Sequence, residues 1–279
     1  YTPCDMLLNA QPVLIDESGA RWAPRNSGHS RIGQMVDLRW ALTNSNNWIS
    51  ARLLDKLSPA DLVRTMHNFG IRGDIKPTVS LCLGPCDVSV KEMAGAYTAF
   101  ANKGMRVDPM MVTAIADSKG NIISEFTPKH TEVLSETAYW RILSILLNVV
   151  DSGTAHRLRS SYGLTAEIGG KTGTTNYNAD GWFMGFTPQI VAATWVGGDE
   201  RFIHFNNMGY GQGSAMALPI FGIFMKKIFA DKNLPYSQSA KFVFPEDINL
   251  CAKENYGDYV ETTSADDNAE ETSMDDIFE

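Results

Sequence analysis

Gly169-Gly170-Lys171-Thr172-Gly173-Thr174-Thr175, then Gly181-Trp182-Phe183-Met184-Gly185-Phe186, then Ile190-Val191-Ala192-Ala193-Thr194-Trp195-Val196: these three runs decide the fold of the 279-residue chain. Their β-branched and aromatic residues suit a pleated, half-buried surface, and turn-forming residues separate them. Thr165 to Thr174 reads as one strand, Gly181 to Phe186 as a second and Ile190 to Val196 as a third. Thr187-Pro188-Gln189 is the tight connection between the last two. Consecutive strands with short links pair antiparallel.

Working outward, helices flank this sheet in the sequence. Ala215 to Phe229 reads as a strongly apolar helix with Pro219 in its first turn. Upstream, Ser135 caps a long apolar helix through Trp140, Leu143, Leu146 and Val150, and Gly153 stops it. Val107 to Ile123 reads as two strands joined by Asp117-Ser118-Lys119-Gly120. Val90 to Lys103 reads as a helix ended by Gly104. Ser58 as N-cap, Pro59 at the first position and Asp61 in the capping-box place open another, which Gly70 closes. Met35 to Leu42 and Trp48 to Leu54 have helical spacing on either side of Thr43-Asn44-Ser45-Asn46-Asn47, whose residues prefer caps and turns. Residues 1–32 read as irregular, with an extended segment at Val13-Leu14-Ile15. The class is a mixed α/β (α+β) domain over 1–245, an antiparallel sheet packed between helical clusters.

Lys171-Thr172-Gly173 has two chemical readings. A phosphate-binding loop needs a glycine where Thr165 stands and a helix to follow, and Thr174-Thr175-Asn176-Tyr177-Asn178 is a poor helix start. The other reading is a strand beside an acyl-transfer site. There a lysine supplies positive charge for a carboxylate and a proton relay, and a threonine supplies a hydroxyl. The glycine lets a peptide lie flat as an added backbone partner. Ser45-Asn46-Asn47 between two helices adds a hydroxyl that can pass a proton and an amide that can bind a peptide group. Each triplet alone is also compatible with an ordinary glycine-containing strand or a helix cap.

Composition limits the remaining classes. The net charge of −8 is concentrated at one end: Glu254 to Glu279 holds ten acidic residues and no Lys or Arg. The rest carries 24 basic and 22 acidic residues, so no basic footprint for nucleic acid exists. Residues 246–279 read as an acidic, disordered tail. The chain shows no uncharged apolar run of about 18 residues and no secretory leader pattern. The five histidines are scattered, so no metal site is expected, and no cofactor is called for. Cys82 and Cys86 could be oxidised to one another or be two buried thiols; Cys4 and Cys251 complete the four.

Ser45-x-Asn47 followed far downstream by Lys171-Thr172-Gly173 resembles the second and third signature elements shared by penicillin-binding proteins and serine β-lactamases. Ala41 through Asn47, Glu92-Met93-Ala94-Gly95-Ala96-Tyr97, Gly153-Thr154, Lys171 through Phe186, and Gly211 through Pro219 are similar to the transpeptidase domain of class A penicillin-binding proteins. The resemblance implies the serine β-lactamase/transpeptidase fold and a D-Ala-D-Ala transpeptidase that cross-links peptidoglycan through a serine acyl-enzyme. It further implies Ser45 and Lys171 as catalytic residues, with Asn47, Thr172, Gly173 and Thr174 binding substrate. The implied partners are peptidoglycan stem peptides and β-lactam antibiotics. The implied place is the periplasmic face of the bacterial inner membrane, with the membrane anchor and a glycosyltransferase domain upstream. The family's first element, Ser-x-x-Lys, is missing: no serine of this sequence has a lysine three positions on. The resemblance implies that this element precedes Tyr1, leaving these residues inactive by themselves. A stem-peptide-binding pseudoenzyme and a serine β-lactamase are the alternative readings.

Overall fold

A computed structural model of the protein describes residues 1–16 and 18–253. The chain begins with short strands β1 (Met6–Leu8), β2 (Leu14–Ile15), β3 (Arg21–Trp22) and β4 (Met35–Asp37), followed by helices α1 (Leu38–Thr43), α2 (Asn47–Lys56) and α3 (Pro59–Asn68). Next come α4 (Val90–Ala101), strands β5 (Met105–Val107), β6 (Ala114–Ala116), β7 (Ile122–Glu125) and β8 (His130–Glu132), and helices α5 (Glu136–Asp151) and α6 (Arg157–Ser160). The main sheet is β9 (Gly169–Thr174), β10 (Asp180–Phe186) and β11 (Val191–Gly197), and the short α7 (Met208–Gly211) and α8 (Gly213–Met216) lead into α9 (Leu218–Ala230).

The sheet is antiparallel in the order β11-β10-β9, so β9 is an edge strand. α9 covers one face of the sheet and α4 the other, and α5 contributes to both. Phe183 on β10 packs with Leu218, Phe221 and Met225 of α9 and with Val149 and Val150 at the end of α5. Phe186, three residues on and on the opposite face, packs with Tyr139, Trp140, Leu143 and Leu146 of α5 and with Tyr97 and Phe100 of α4. Side chains alternate faces along a strand, which is how one seven-residue strand anchors two cores. Each such fully buried side chain contributes about 1.5–3 kcal/mol.

Several boundaries differ from the sequence reading, each for a local reason. Met35–Asp37 is strand rather than the first turn of a helix, because it pairs with β1 and Asp37 then caps α1 by accepting from the Trp40 N–H at 2.6 Å. β9 starts at Gly169 rather than Thr165, whose N–H and hydroxyl are bound by the Gln238 side chain. The helix expected from Ala215 is split at Ala217, because Pro219 lacks the N–H that would continue the preceding turn. Gly213–Ala230 is nonetheless long and apolar enough, by length and composition, to cross a membrane. In this fold its Leu218, Phe221 and Met225 are fully buried in the core.

Residues 246–253, expected with the acidic tail, instead fold back onto the domain. Ile248 and Leu250 pack on the α5 cluster, and Cys251 forms a disulfide with Cys4, with Cα atoms 5.5 Å apart. Cys82 and Cys86, the pair considered from the sequence, are both free thiols, and burial raises both their pKa values, Cys82 to about 11. The Cys4–Cys251 link spans 247 residues, and such a closure restricts the unfolded chain, contributing typically about 2–4 kcal/mol. From residue 254 on, the acidic segment lies outside the described residues.

Candidate active site

The junction between α1 and α2 places Ser45. The N–H groups of Ser45 and Asn46 donate back to Leu42 O and Ala41 O, ending α1 and turning Ser45 into the left-handed region at φ 53°. Few non-glycine residues adopt that conformation, and it leaves the Ser45 side chain exposed while its neighbour Asn46 is buried. Asn46 caps α2 by accepting from the Ile49 N–H at 3.0 Å, and its amide donates to Asn9 Oδ1 at 2.8 Å.

Lys171 reaches this junction from β9. Its Nζ donates to Ser45 Oγ at 2.9 Å and to the Thr172 carbonyl at 2.9 Å, across 126 positions of sequence in the first case. Burial strips water from the amine and brings its pKa from 10.5 down to about 8. A lowered pKa makes it easier for the amine to exchange a proton with a neighbouring hydroxyl.

The phase of the strand ladder shows what β9 offers at its free edge. The Thr175 N–H donates to Asp180 O, and Thr174 stands opposite Gly181. In an antiparallel pair the bonded positions alternate, so residues 171 and 173 exchange hydrogen bonds with β10. The N–H and C=O of Thr172 and Thr174 point off the sheet. The Lys171 ammonium occupies the Thr172 carbonyl. The Thr174 N–H faces outward beside the hydroxyls of Thr172 and Thr174. Thr174 Oγ1 accepts from the Gly213 N–H at 3.0 Å, which leaves its own proton to give. Gly213 must be glycine, since a Cβ there would collide with the carbonyl of Gly173 and lie 2.5 Å from that of Trp182.

Of the residues singled out from sequence, the fold brings together Ser45, Lys171, Thr172, Gly173 and Thr174. Asn47 is turned elsewhere: its Nδ2 donates to Arg25 O at 2.7 Å and its N–H to Asn26 Oδ1 at 2.7 Å. The Arg25-Asn26 segment, irregular in its sequence pattern, thus latches the α1–α2 junction. Asn9 and Asn26 carried no signal in the sequence, because their partners lie 37 and 21 positions away. A shallow cavity of about 330 Å³ lined by Ala94, Val107, Pro109 and Val191 contains none of the site residues.

Residues 5–221 match the family model described as the penicillin binding protein transpeptidase domain. The chain belongs to that family. It is 33% identical over 248 residues to penicillin-binding protein 1A of Aquifex aeolicus, an alignment covering 87% of this chain and 33% of that protein. Penicillin-binding protein 1A of Rickettsia conorii is 30% identical over 274 residues, with 89% and 33% covered. Among solved structures, penicillin-binding protein 1A of Haemophilus influenzae superposes with a TM-score of 0.77 at 24% identity, covering 88% of this chain and 41% of that one. The fold is therefore that of the β-lactamase/transpeptidase proteins, and the chain spans about a third of the length of its curated relatives.

Proposed function

We propose that this domain serves peptidoglycan cross-linking by D-Ala-D-Ala transpeptidation. The observation that carries the reading is the 2.9 Å contact between Lys171 Nζ and Ser45 Oγ, set beside a strand edge with a free Thr174 N–H. In this reading a stem peptide adds along the edge of β9 as an extra strand. Its terminal carboxylate lies by Lys171 and the threonine hydroxyls, and its scissile carbonyl oxygen accepts from the Thr174 N–H.

The chemistry runs in two balanced steps. A serine Oγ attacks the carbonyl of the penultimate D-Ala, its proton passing by way of Ser45 and Lys171 to the departing amine. The peptide C–N bond breaks and free D-alanine leaves. An amine of a second stem peptide then attacks the ester, the C–O bond breaks, and the serine regains a proton as the new amide forms. Because no serine of this sequence has a lysine three positions on, the nucleophile belongs to a Ser-x-x-Lys outside residues 1–279. The 279 residues alone are then inactive. In this reading β-lactams acylate the same serine; the similar penicillin-binding protein A of M. tuberculosis has been solved as an imipenem acyl-enzyme complex. The reading places the domain on the periplasmic side of the inner membrane, held there by an upstream anchor.

Mapping the adduct tests this directly. Full-length protein treated with benzylpenicillin and digested should give one acylated peptide, holding a Ser-x-x-Lys outside these residues. Acylation at any serine within 1–279, or no adduct at all, would remove the proposal. A pseudoenzyme would bind penicillin reversibly without an adduct. A β-lactamase would release the hydrolysed drug many times over.

A further inference from the structure

Thr154 belongs to neither motif, yet it touches both halves of the site. Its Oγ1 lies 2.8 Å from Thr172 Oγ1, and its N–H donates to Thr43 O at 3.3 Å, two residues before Ser45. Thr43 is buried, and its Oγ1 accepts from Asn148 Nδ2 on α5 at 2.9 Å. The neighbouring Gly153 makes this approach possible. A Cβ there would collide with the Thr43 carbonyl and sit 2.7 Å from Thr43 Cγ2. One turn after α5 thus grips the main chain entering the Ser45 junction and a hydroxyl on β9.

We propose that Thr154 is a positioning residue that orients the Thr172 hydroxyl as a donor toward the carboxylate of the bound substrate. A hydroxyl has one proton and two lone pairs. With Thr154 donating to Thr172, a lone pair of Thr172 is occupied and its own proton is free for the ligand. With the donation reversed, Thr172 would present only lone pairs, which repel a carboxylate. A carboxylate has no proton at neutral pH and accepts only, so its arrival selects the first arrangement. The inference rests on the transpeptidase reading, which places that carboxylate at β9.

The test compares two ligands in each protein. Second-order acylation rates are measured for full-length wild type, Thr154→Val and Thr154→Ser with benzylpenicillin and with its methyl ester, which lacks the negative charge. The ratio of acid to ester is read within each variant, so any loss of folded protein cancels. Thr154→Val should lower the ratio about tenfold, the scale of one hydrogen bond to a charged group, and Thr154→Ser should restore it to within about threefold. An unchanged ratio in Thr154→Val, or equal losses on both ligands, overturns the positioning role and leaves the transpeptidase reading intact. Wild type that is acylated by neither ligand overturns both.

Discussion

The two halves of the site meet at one hydrogen bond, but they are held in place by different forces. β9 is fixed along its length by the ladder to β10, and its neighbours on both faces are fully buried aromatic rings. The Ser45 junction has no ladder. It is tied down by bonds to side chains, from the Asn46 amide to Asn9, from the Asn47 N–H to Asn26 and from the Asn148 amide to Thr43. The strand is therefore a platform fixed by backbone pairing, and the helix junction is fixed by cap and side-chain bonds beside the buried cluster of Val36, Ala41 and Ile49. A chemical change on the strand should alter reactivity without altering the fold, whereas a change beneath the junction should alter both.

The largest effect is expected on the strand. Lys171→Ala removes the ammonium from Ser45 and from the proposed carboxylate site, and acylation of the full-length protein should fall at least about 10²-fold, the scale of one lost transition-state donor. The melting temperature should not fall, because the ladder persists and a desolvated cation has been removed. A loss of stability that matches the loss of rate would contradict the description of the strand as a platform fixed by backbone pairing.

Beneath the junction, Asn46→Ala should destabilise the protein by about 2–4 kcal/mol. It deletes the α2 cap, worth about 1 kcal/mol, and leaves the fully buried Asn9 Oδ1 without its partner, worth about 1–3 kcal/mol. Acylation should drop several-fold in the protein that remains folded. Denaturant titration beside rate measurement on the same samples checks both, and an unchanged midpoint would show that the junction is held by something other than these bonds.

The smallest effect sharpens the comparison through pH. Lys171 has a folded pKa near 8, below its usual 10.5, so the positive charge proposed to hold a carboxylate is present below 8 and lost above it. The second-order acylation constant, which reports the free protein, should be about halved at pH 8 and decline further above it. For stability the sign is opposite: between about 8 and 10.5 the unfolded lysine keeps a proton that the folded one has released. This group's contribution to stability therefore rises through that window. Lys171→Met should flatten both profiles, and a rate profile with no inflection near 8 would place the functional charge elsewhere.

Much of the fold was legible because its signals are local. The strands Gly181 to Phe186 and Ile190 to Val196, the Ser135-capped helix and the Ser58-Pro59 helix start were each readable within a dozen residues, since periodicity and capping act at that range. Boundaries failed where a distant partner intervened, as at Met35, whose pairing with β1 outweighed its helical spacing. The disulfide could not be read for the same reason: Cys82 and Cys86 are neighbours in sequence, but Cys4 and Cys251 are neighbours in space.

By itself the amino-acid order determined which groups this protein has to work with: a lysine, hydroxyls and glycines on a strand, a serine at a helix junction, and no Ser-x-x-Lys among 279 residues. Only the tertiary structure decided their use. Packing on two faces of β10 brought Lys171 to Ser45, turned the Asn47 amide toward Arg25, and put Thr154 against Thr172. Contacts of that kind depend on how whole layers stack, and burial, which drives the stacking, is also what lowers the lysine pKa.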